Sequence, residues 1–388
     1  MKIPMLDLTG QYQRIKPEID EAIQEVLDTG KYVNGPQIEA LEKSIAEFLG
    51  VKEAIAVASG SDALLLSLDA LEVGRGDKVI VPTFTFFATA GAVTRLGATP
   101  IFVDIDINTY NIDIQQVEAI LDKEGDAVKA VIPVHLYGLG ADMEGLIKLQ
   151  EKYPFKIVED ACQAINTDIM VNGENKKTGT IGDTGCFSFF PSKNLGGYGD
   201  GGMITTNDSN LALKLRVLRM HGAKPKYVHH LVGYNSRLDS IQAAVLAVKF
   251  KYLPEWTEKR RKVAQQYDEL FKRADLQEVV VPELYPGHVF HQYVIRAEFR
   301  NDVASFLHMN GIETAVYYPI PLHVQDCFYE LGYTEGDLPV SEHMATHTLA
   351  LPIDPEMTAE QIKTVVDKIA EFYTERRAML SVSCDLYS

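Results

Sequence analysis

Between about residues 52 and 207, short apolar runs alternate with stretches of helical periodicity. The runs AIAVAS (54–59), KVIVPTF (78–84), TPIFVDI (99–105), KAVIPVHL (129–136), FKIVEDA (155–161), GCFSFF (185–190) and GMITT (202–206) predict strands. Most are continuous in Val, Ile and Phe rather than alternating apolar with polar. Strands buried on both faces read that way, and parallel sheets covered by helices bury both faces. Segments such as SDALLLSLDAL (61–71) and DMEGLIKLQEKY (142–153) predict helices between them. The pattern implies an α/β layered domain.

After Asn235 the periodicity becomes helical over SRLDSIQAAVLAVKFKYLPEWTEKRRKVAQQYDELFKRA, with a break expected at Pro254. The remainder mixes short strands, HQYVIRAEF among them, with helices such as TAEQIKTVVDKIAEFYTERRAML. This predicts a large domain over 1–254, a smaller α+β domain over 255–380, and a patternless, frayed tail over 381–388. No internal repeat or low-complexity block interrupts the chain.

The 388 residues suffice for two cores, and 46% apolar with 23% charged residues is an ordinary globular composition. The formal net charge of −17 argues against nucleic acid and anionic membranes as partners. A small phosphorylated ligand stays possible, because backbone N–H groups can hold it. The start MKIPMLDLTGQY shows no apolar signal core, and no run approaches the length of a membrane span. Cys162, Cys186, Cys327 and Cys384 are scattered without a CxxC pair, which implies free thiols in a reducing cytoplasm and no metal site.

Four local features carry candidate chemistry. Lys193, in FSFFPSKNLGGYGDGG, follows a strand and precedes a glycine-rich segment. A lysine so placed can reach a cleft, and its amine forms Schiff bases with aldehydes; the competing reading is a surface lysine before a loop. The glycines do not match GxxxxGK[ST], so a Walker-type phosphate loop is not supported. Asp160 ends an apolar strand, where ligands of open α/β sheets bind, although aspartate there also suits a helix N-cap. A carboxylate in that place can keep a pyridine nitrogen protonated, while Glu159 faces the other way along the strand. In ASGSDALLL a strand runs through Gly60, Ser61 and Asp62 into a helix start able to hold phosphate, with capping by Ser61 or Asp62 as the alternative. Phe84 and Phe86 offer an aromatic face for a flat ring, or core packing. Their order, phosphate turn, aromatic, strand-end Asp160 and then Lys193 33 residues later, is the order a fold-type I pyridoxal phosphate (PLP) enzyme requires.

With GKYVNGP, ASGSDAL, PTFTFFATA, PVHLYG, VEDACQA, SFFPSKNLGGYGDGG, HGAKPKY, GYNSRLDSIQAA and YYPIPLH in place, nearly the whole chain resembles the DegT/DnrJ/EryC1/StrS family of nucleotide-sugar aminotransferases. The resemblance implies an aspartate aminotransferase-like fold with a mainly parallel sheet. It implies PLP on Lys193, which also moves the proton, with pyridoxamine phosphate formed in a ping-pong cycle. Asp160 would pair with the ring nitrogen, Gln163 would lie near the ring and its 3-oxygen, and Phe86 would stack on it. Gly60, Ser61 and Ser188 would hold the phosphate, joined by Asn235 of the neighbouring subunit in a homodimer with shared active sites. Tyr317, Tyr318, His323 and Arg237 fall in segments near the sugar and the subunit interface.

The expected reaction passes an amine from glutamate or glutamine to a keto-sugar linked to a nucleoside diphosphate. Relatives acting on uronic-acid sugars often carry AVHYP where this chain has AVYYP, which favours a deoxy-keto-sugar over a sugar carboxylate. Sugar dehydratases of this fold replace the lysine with histidine, so Lys193 favours transamination. A PLP-binding regulatory protein without turnover is a further alternative. A nicotinamide dehydrogenase would need GxGxxG where the chain has ASGSDAL.

Overall fold

The computed structural model describes residues 2–385, with side chains as far as residue 379. The seven apolar runs are the seven strands of one sheet. They are β1 (Glu53–Val57), β2 (Lys78–Pro82), β3 (Thr99–Val103), β4 (Val128–Val131), β5 (Lys156–Asp160), β8 (Thr184–Ser188) and β9 (Gly202–Thr206). A two-stranded hairpin, β6 (Asp168–Val171) and β7 (Glu174–Lys177), lies between β5 and β8 in sequence and forms a sheet of its own.

The sheet order is β1-β9-β8-β5-β4-β2-β3. β3, β2, β4, β5 and β8 run parallel, and β9 runs antiparallel to both of its neighbours. β1 therefore points the same way as β8, and six of the seven strands share one carboxyl edge. Their interior positions are almost wholly buried, as two-sided covering requires. The α/β, mainly parallel architecture follows directly from those continuous apolar runs.

Several runs extend past the strands they predict. The run 129–136 yields regular strand only over Val128–Val131; beyond it the chain still follows β5, but only through an isolated bridge between Val134 and Asp160, before the short helix Leu136–Gly138. The helix after β1 is Gly60–Ala70 and the helix before β5 is Met143–Gln150, with Asp142 capping Gly145 N. Pro254 falls in the first turn of Leu253–Ala274, just after the helix Ser240–Phe250; there its missing N–H is no loss. The hairpin turn Asn172–Gly173 has both residues at positive φ, 51° and 78°, which is the Asn-Gly preference of a two-residue hairpin.

A second apolar core surrounds an antiparallel sheet of β10 (Val279–Val280), β11 (Tyr293–Ala297) and β12 (Thr348–Leu351). Tyr267, Ile362 and Ile369 pack on it, and so does Ile3 from the opposite end of the chain, bridged to Ile312. The helix Ala359–Asp385 carries regular backbone through 381–385, where the pattern gave only a frayed tail; residues 386–388 of that tail lie outside the described residues. Among the described residues no helix is long and apolar enough to cross a membrane. Cys162, Cys186 and Cys327 are free thiols, and the Cys384 side chain lies outside those described.

Candidate active site

The site lies along the shared carboxyl edge. β1 ends at Val57, and Ser59 caps the following helix, its Oγ accepting from Asp62 N at 3.1 Å. The cap is Ser59 rather than Ser61 or Asp62. This leaves the amides of Gly60 and Ser61 without intrahelical acceptors and the Ser61 hydroxyl free of capping duty. A Cβ on Gly60 would stand 2.7 Å from Ser188 Cβ and 2.9 Å from Cys162 Sγ. Gly60, Ser188 at the end of β8, and Cys162 after β5 therefore meet in one place.

Glu159 and Asp160 end β5 on opposite sides, as strand alternation demands. Glu159 is fully buried on the structural side. It accepts from Gly179 N, Ile181 N and Gly182 N, each at 2.7 Å, and pairs with His135 Nε2 at 2.9 Å. Asp160 faces the edge. Its Oδ2 accepts from Thr89 Oγ1 at 2.9 Å and its Oδ1 from Cys162 N at 3.2 Å, so it is aimed from two directions.

Lys193 sits in the turn after β8, its backbone N–H donating to Phe190 O at 2.8 Å. Among the described residues its amine has no hydrogen-bond partner. Burial pushes the amine's pKa below the usual lysine value, against the opposing pull of Cys162 and Asp160. A lysine amine with a lowered pKa is the reactive, nucleophilic form. Burial also raises the Cys162 thiol, helped by Asp160, so that sulfur stays neutral beside the amine. On the far side of the turn Asn194 Oδ1 faces His291 Nδ1 at 3.2 Å. Burial, with Lys193 and Arg260 nearby, holds that imidazole neutral.

Of the two candidate aromatics, Phe84 is 1% exposed core and Phe86 is 56% exposed. The Phe86 ring lies 6.2 Å from Tyr318, leaving a face to the site. Gln163 is held at both ends: Oε1 accepts from Tyr137 N at 2.8 Å, and Nε2 donates to Tyr318 Oη at 3.0 Å. Tyr137 also donates its hydroxyl to the Tyr317 carbonyl. His323 is buried, with Nδ1 against Thr83 Oγ1 at 2.8 Å and Nε2 against Glu342 Oε1 at 3.0 Å, so both ring nitrogens are spent inside the chain. Arg237 is half-buried and makes no ion pair among the described residues. Asn235 is exposed, and its neighbour Ser236 accepts from Ala58 N at 3.2 Å, which fastens that segment beside the helix start. Thr89, Tyr137, Cys162 and His291 were not singled out as functional by sequence reasoning. Their presence in ATA, HLYG, DACQ and FHQY is unremarkable until the fold brings them to one edge.

These residues fit a phosphorylated aldehyde cofactor. An open helix start approached closely through Gly60 suits phosphate. The aimed carboxylate of Asp160 suits a ring nitrogen, Phe86 offers an aromatic face, and Lys193 supplies an unpartnered amine. A mainly parallel sheet carrying this set along its carboxyl edge defines an α/β transferase of PLP fold type I.

The sequence profile of the DegT/DnrJ/EryC1/StrS aminotransferase family matches residues 13–370, and the chain belongs to that family. It is 51% identical to the pleiotropic regulatory protein of Geobacillus stearothermophilus, over 96% of this chain and 99% of that one. It is 47% identical to the UDP-N-acetyl-3-dehydro-alpha-D-glucosamine 3-aminotransferase of Acidithiobacillus ferrooxidans, over 95% and 97%. Among solved structures, NtdA of Bacillus subtilis with bound cofactor PMP superposes with a TM-score of 0.86 at 32% identity, over 95% of this chain and 85% of that one.

Proposed function

We propose that the protein is a PLP-dependent aminotransferase that moves an amino group from glutamate, or glutamine, to a keto-sugar linked to a nucleoside diphosphate. The observation that carries this reading is the Lys193 amine: unpartnered, lowered in pKa by burial, and close to the carboxylate of Asp160. Bound beside it, the cofactor supplies an aldehyde that takes up amines and a ring that accepts the electron pair released at the substrate carbon.

The chain's own groups have separate tasks in this reading. Lys193 Nζ anchors the cofactor and then moves the proton between substrate carbon and cofactor. Asp160, aimed by Thr89 and Cys162 N, holds the ring nitrogen protonated. Gln163, fixed by Tyr137 N and Tyr318 Oη, lies toward the ring's 3-oxygen, and Phe86 covers one face. Gly60 N, Ser61 and Ser188 hold the phosphate. Glutamate gives up its amine in a first half-reaction and leaves as the keto acid before the sugar enters for the second. Tyr317, Tyr318, Arg237 and the segment positioned by His323 line the sugar side.

A homodimer with shared sites is part of the proposal, with Asn235 of each subunit reaching the other's phosphate. Exposed apolar residues support it: Tyr32 and Val33, the latter bridged to Asp239, and Tyr227 and Val232 in the loop before Asn235. A second apolar core drawn, except for Ile3, from residues after Pro254 supports a division near that residue, while Leu322, Phe328 and Leu338 return to the core of the large sheet. A cytoplasmic location accords with the free thiols.

The test is direct. Purified protein is incubated with glutamate and a panel of keto-sugar nucleotides, and products are read by mass spectrometry. Borohydride-treated protein is digested to find the modified residue. The expected results are an amino-sugar nucleotide, equimolar 2-oxoglutarate, and cofactor fixed on Lys193. Lys193→Ala protein that turns over at the parent rate sinks the assignment. Free ammonia in place of an amino-sugar indicates a dehydratase, and bound cofactor without glutamate consumption indicates a regulator.

A further inference from the structure

The turn that carries Lys193 closes on itself. Lys193 N donates to Phe190 O and Gly197 N donates to Phe189 O, both at 2.8 Å. Gly196 stands at the closure, where a Cβ would lie 2.3 Å from Pro191 O, so no larger residue fits. Two side chains from the helix Ser240–Phe250 grip this closure. Gln242 and Lys249 are seven residues, about two turns, apart and so share one helix face. Gln242 Oε1 accepts from Tyr198 N at 2.7 Å, and Lys249 Nζ donates to Gly196 O at 2.5 Å.

Lys249 is an expensive residue for that position. It is 1% exposed, and no carboxylate pairs with it among the described residues. The aromatic face of Tyr198 lies 5.3 Å from its amine, with Tyr12 and Asp20 of the N-terminal helix beyond that ring. Burial pushes its pKa down to about 8. A buried ammonium answered only by a carbonyl and a ring costs stability that an apolar side chain of similar length would not. The protein tolerates this cost at the carbonyl three residues beyond Lys193.

We propose that Lys249 is a positioning residue for amino transfer: its grip on the Gly196 carbonyl, with Gln242 on Tyr198 N, fixes the closed turn from which Lys193 reaches the cofactor. The proposal rests on Lys193 being the cofactor's anchor.

Lys249→Met and Lys249→Gln are compared with the parent holoenzyme and with each apoprotein. Three quantities are measured: the thermal unfolding midpoint against pH, the rate at which added PLP is captured on Lys193 as a borohydride-stable adduct, and kcat with KM for glutamate. The Met variant is expected to unfold no earlier than the parent at pH 7. Its advantage should fade as pH rises from about 8 past 10.5, the ordinary lysine value, above which the amine is neutral in folded and unfolded chains alike. Its capture rate and kcat should each fall by about tenfold or more, with KM for glutamate within about twofold, as expected of a misplaced but intact site. The Gln variant, still able to donate to Gly196 O, should recover part of both rates. A Met variant that captures cofactor and turns over at the parent rates overturns the proposal. So does one that unfolds early or cannot be purified, since Lys249 would then serve the fold alone. A parent protein labelled at a residue other than Lys193 overturns the anchor assignment instead.

Discussion

Thr89 Oγ1 donates to Asp160 Oδ2 at 2.9 Å, so a residue at the start of one helix aims the carboxylate that ends a strand 71 positions later. Thr89 is fully buried, and its other close partner is the Thr85 hydroxyl at 3.2 Å. Thr89→Val keeps the shape and removes the donor. The expected effect is a kcat about tenfold lower, with KM for glutamate little changed and stability reduced by about 1–2 kcal/mol. Asp160→Asn should cost far more, on the order of a hundred- to a thousandfold in kcat, because charge is lost where the reaction needs it. Steady-state kinetics of both variants decide this; an Asn variant as fast as Thr89→Val removes Asp160 from the chemistry.

The adjacent carboxylate should behave in the opposite way. Glu159 satisfies three backbone amides and His135 in a fully buried pocket. Glu159→Gln offers one acceptor oxygen and turns an NH2 toward donors, so it should cost more than about 3 kcal/mol. Denaturant midpoints of Glu159→Gln and Asp160→Asn provide the check. The first should shift strongly and the second little.

Gly60→Ala places a methyl group against Ser188 Cβ and Cys162 Sγ. Helix propensity favours alanine, but the overpacking should dominate and cost about 1–3 kcal/mol. The larger consequence is local, since the helix start must move off the strand end with which it forms the proposed phosphate cradle. PLP titration of the apoprotein should show affinity weakened by about tenfold or more, a loss of about 1.4 kcal/mol. Unchanged affinity would place the phosphate elsewhere.

His288 makes the fold sensitive to acid. Burial pushes its pKa from 6.5 down to about 3, despite a hydrogen bond to the Tyr137 carbonyl. The folded chain therefore keeps it neutral over a range where the unfolded chain is protonated. Its contribution is complete above pH 6.5 and drains away as pH falls toward 3, by about 1.4 kcal/mol per pH unit. His291, also held neutral by burial, acts in the same direction. In urea denaturation between pH 6.5 and 4, His288→Phe should show an acid slope shallower by one proton; an unchanged slope rejects the assignment.

Much of this architecture was legible because the physics is local. β1, β2, β3, β4, β5, β8 and β9 announce themselves as unbroken apolar runs, and a strand buried on both faces leaves no other trace. Lys193 and Asp160 stand out in the sequence as strand-end candidates, and the fold brings both to the carboxyl edge of the sheet. The hairpin β6–β7 carried its signal in Asn172–Gly173, but β6 offers only the three apolar residues Ile169, Met170 and Val171 and β7 is polar, so the pair is too short and mixed to read as a buried strand. What stayed hidden depends on distant pairs: His323 meets Thr83 across 240 positions, Gln163 meets Tyr318 across 155, and Lys249 meets Gly196 across 53. No pattern along the chain encodes that proximity.

The reversed direction of β9 has an architectural consequence. A parallel return from β8 would need a crossover helix lying over one face of the sheet. Because β9 comes back antiparallel, the connection from Ser188 to Gly202 never leaves the rim. The amine travels on a short hairpin-like strap rather than on a helix against the sheet. Inverting one strand in a redesigned sheet would move position 193 off the rim, even with every residue of the site retained. The orientation of a single strand is thus as much a requirement for the proposed chemistry as the lysine itself.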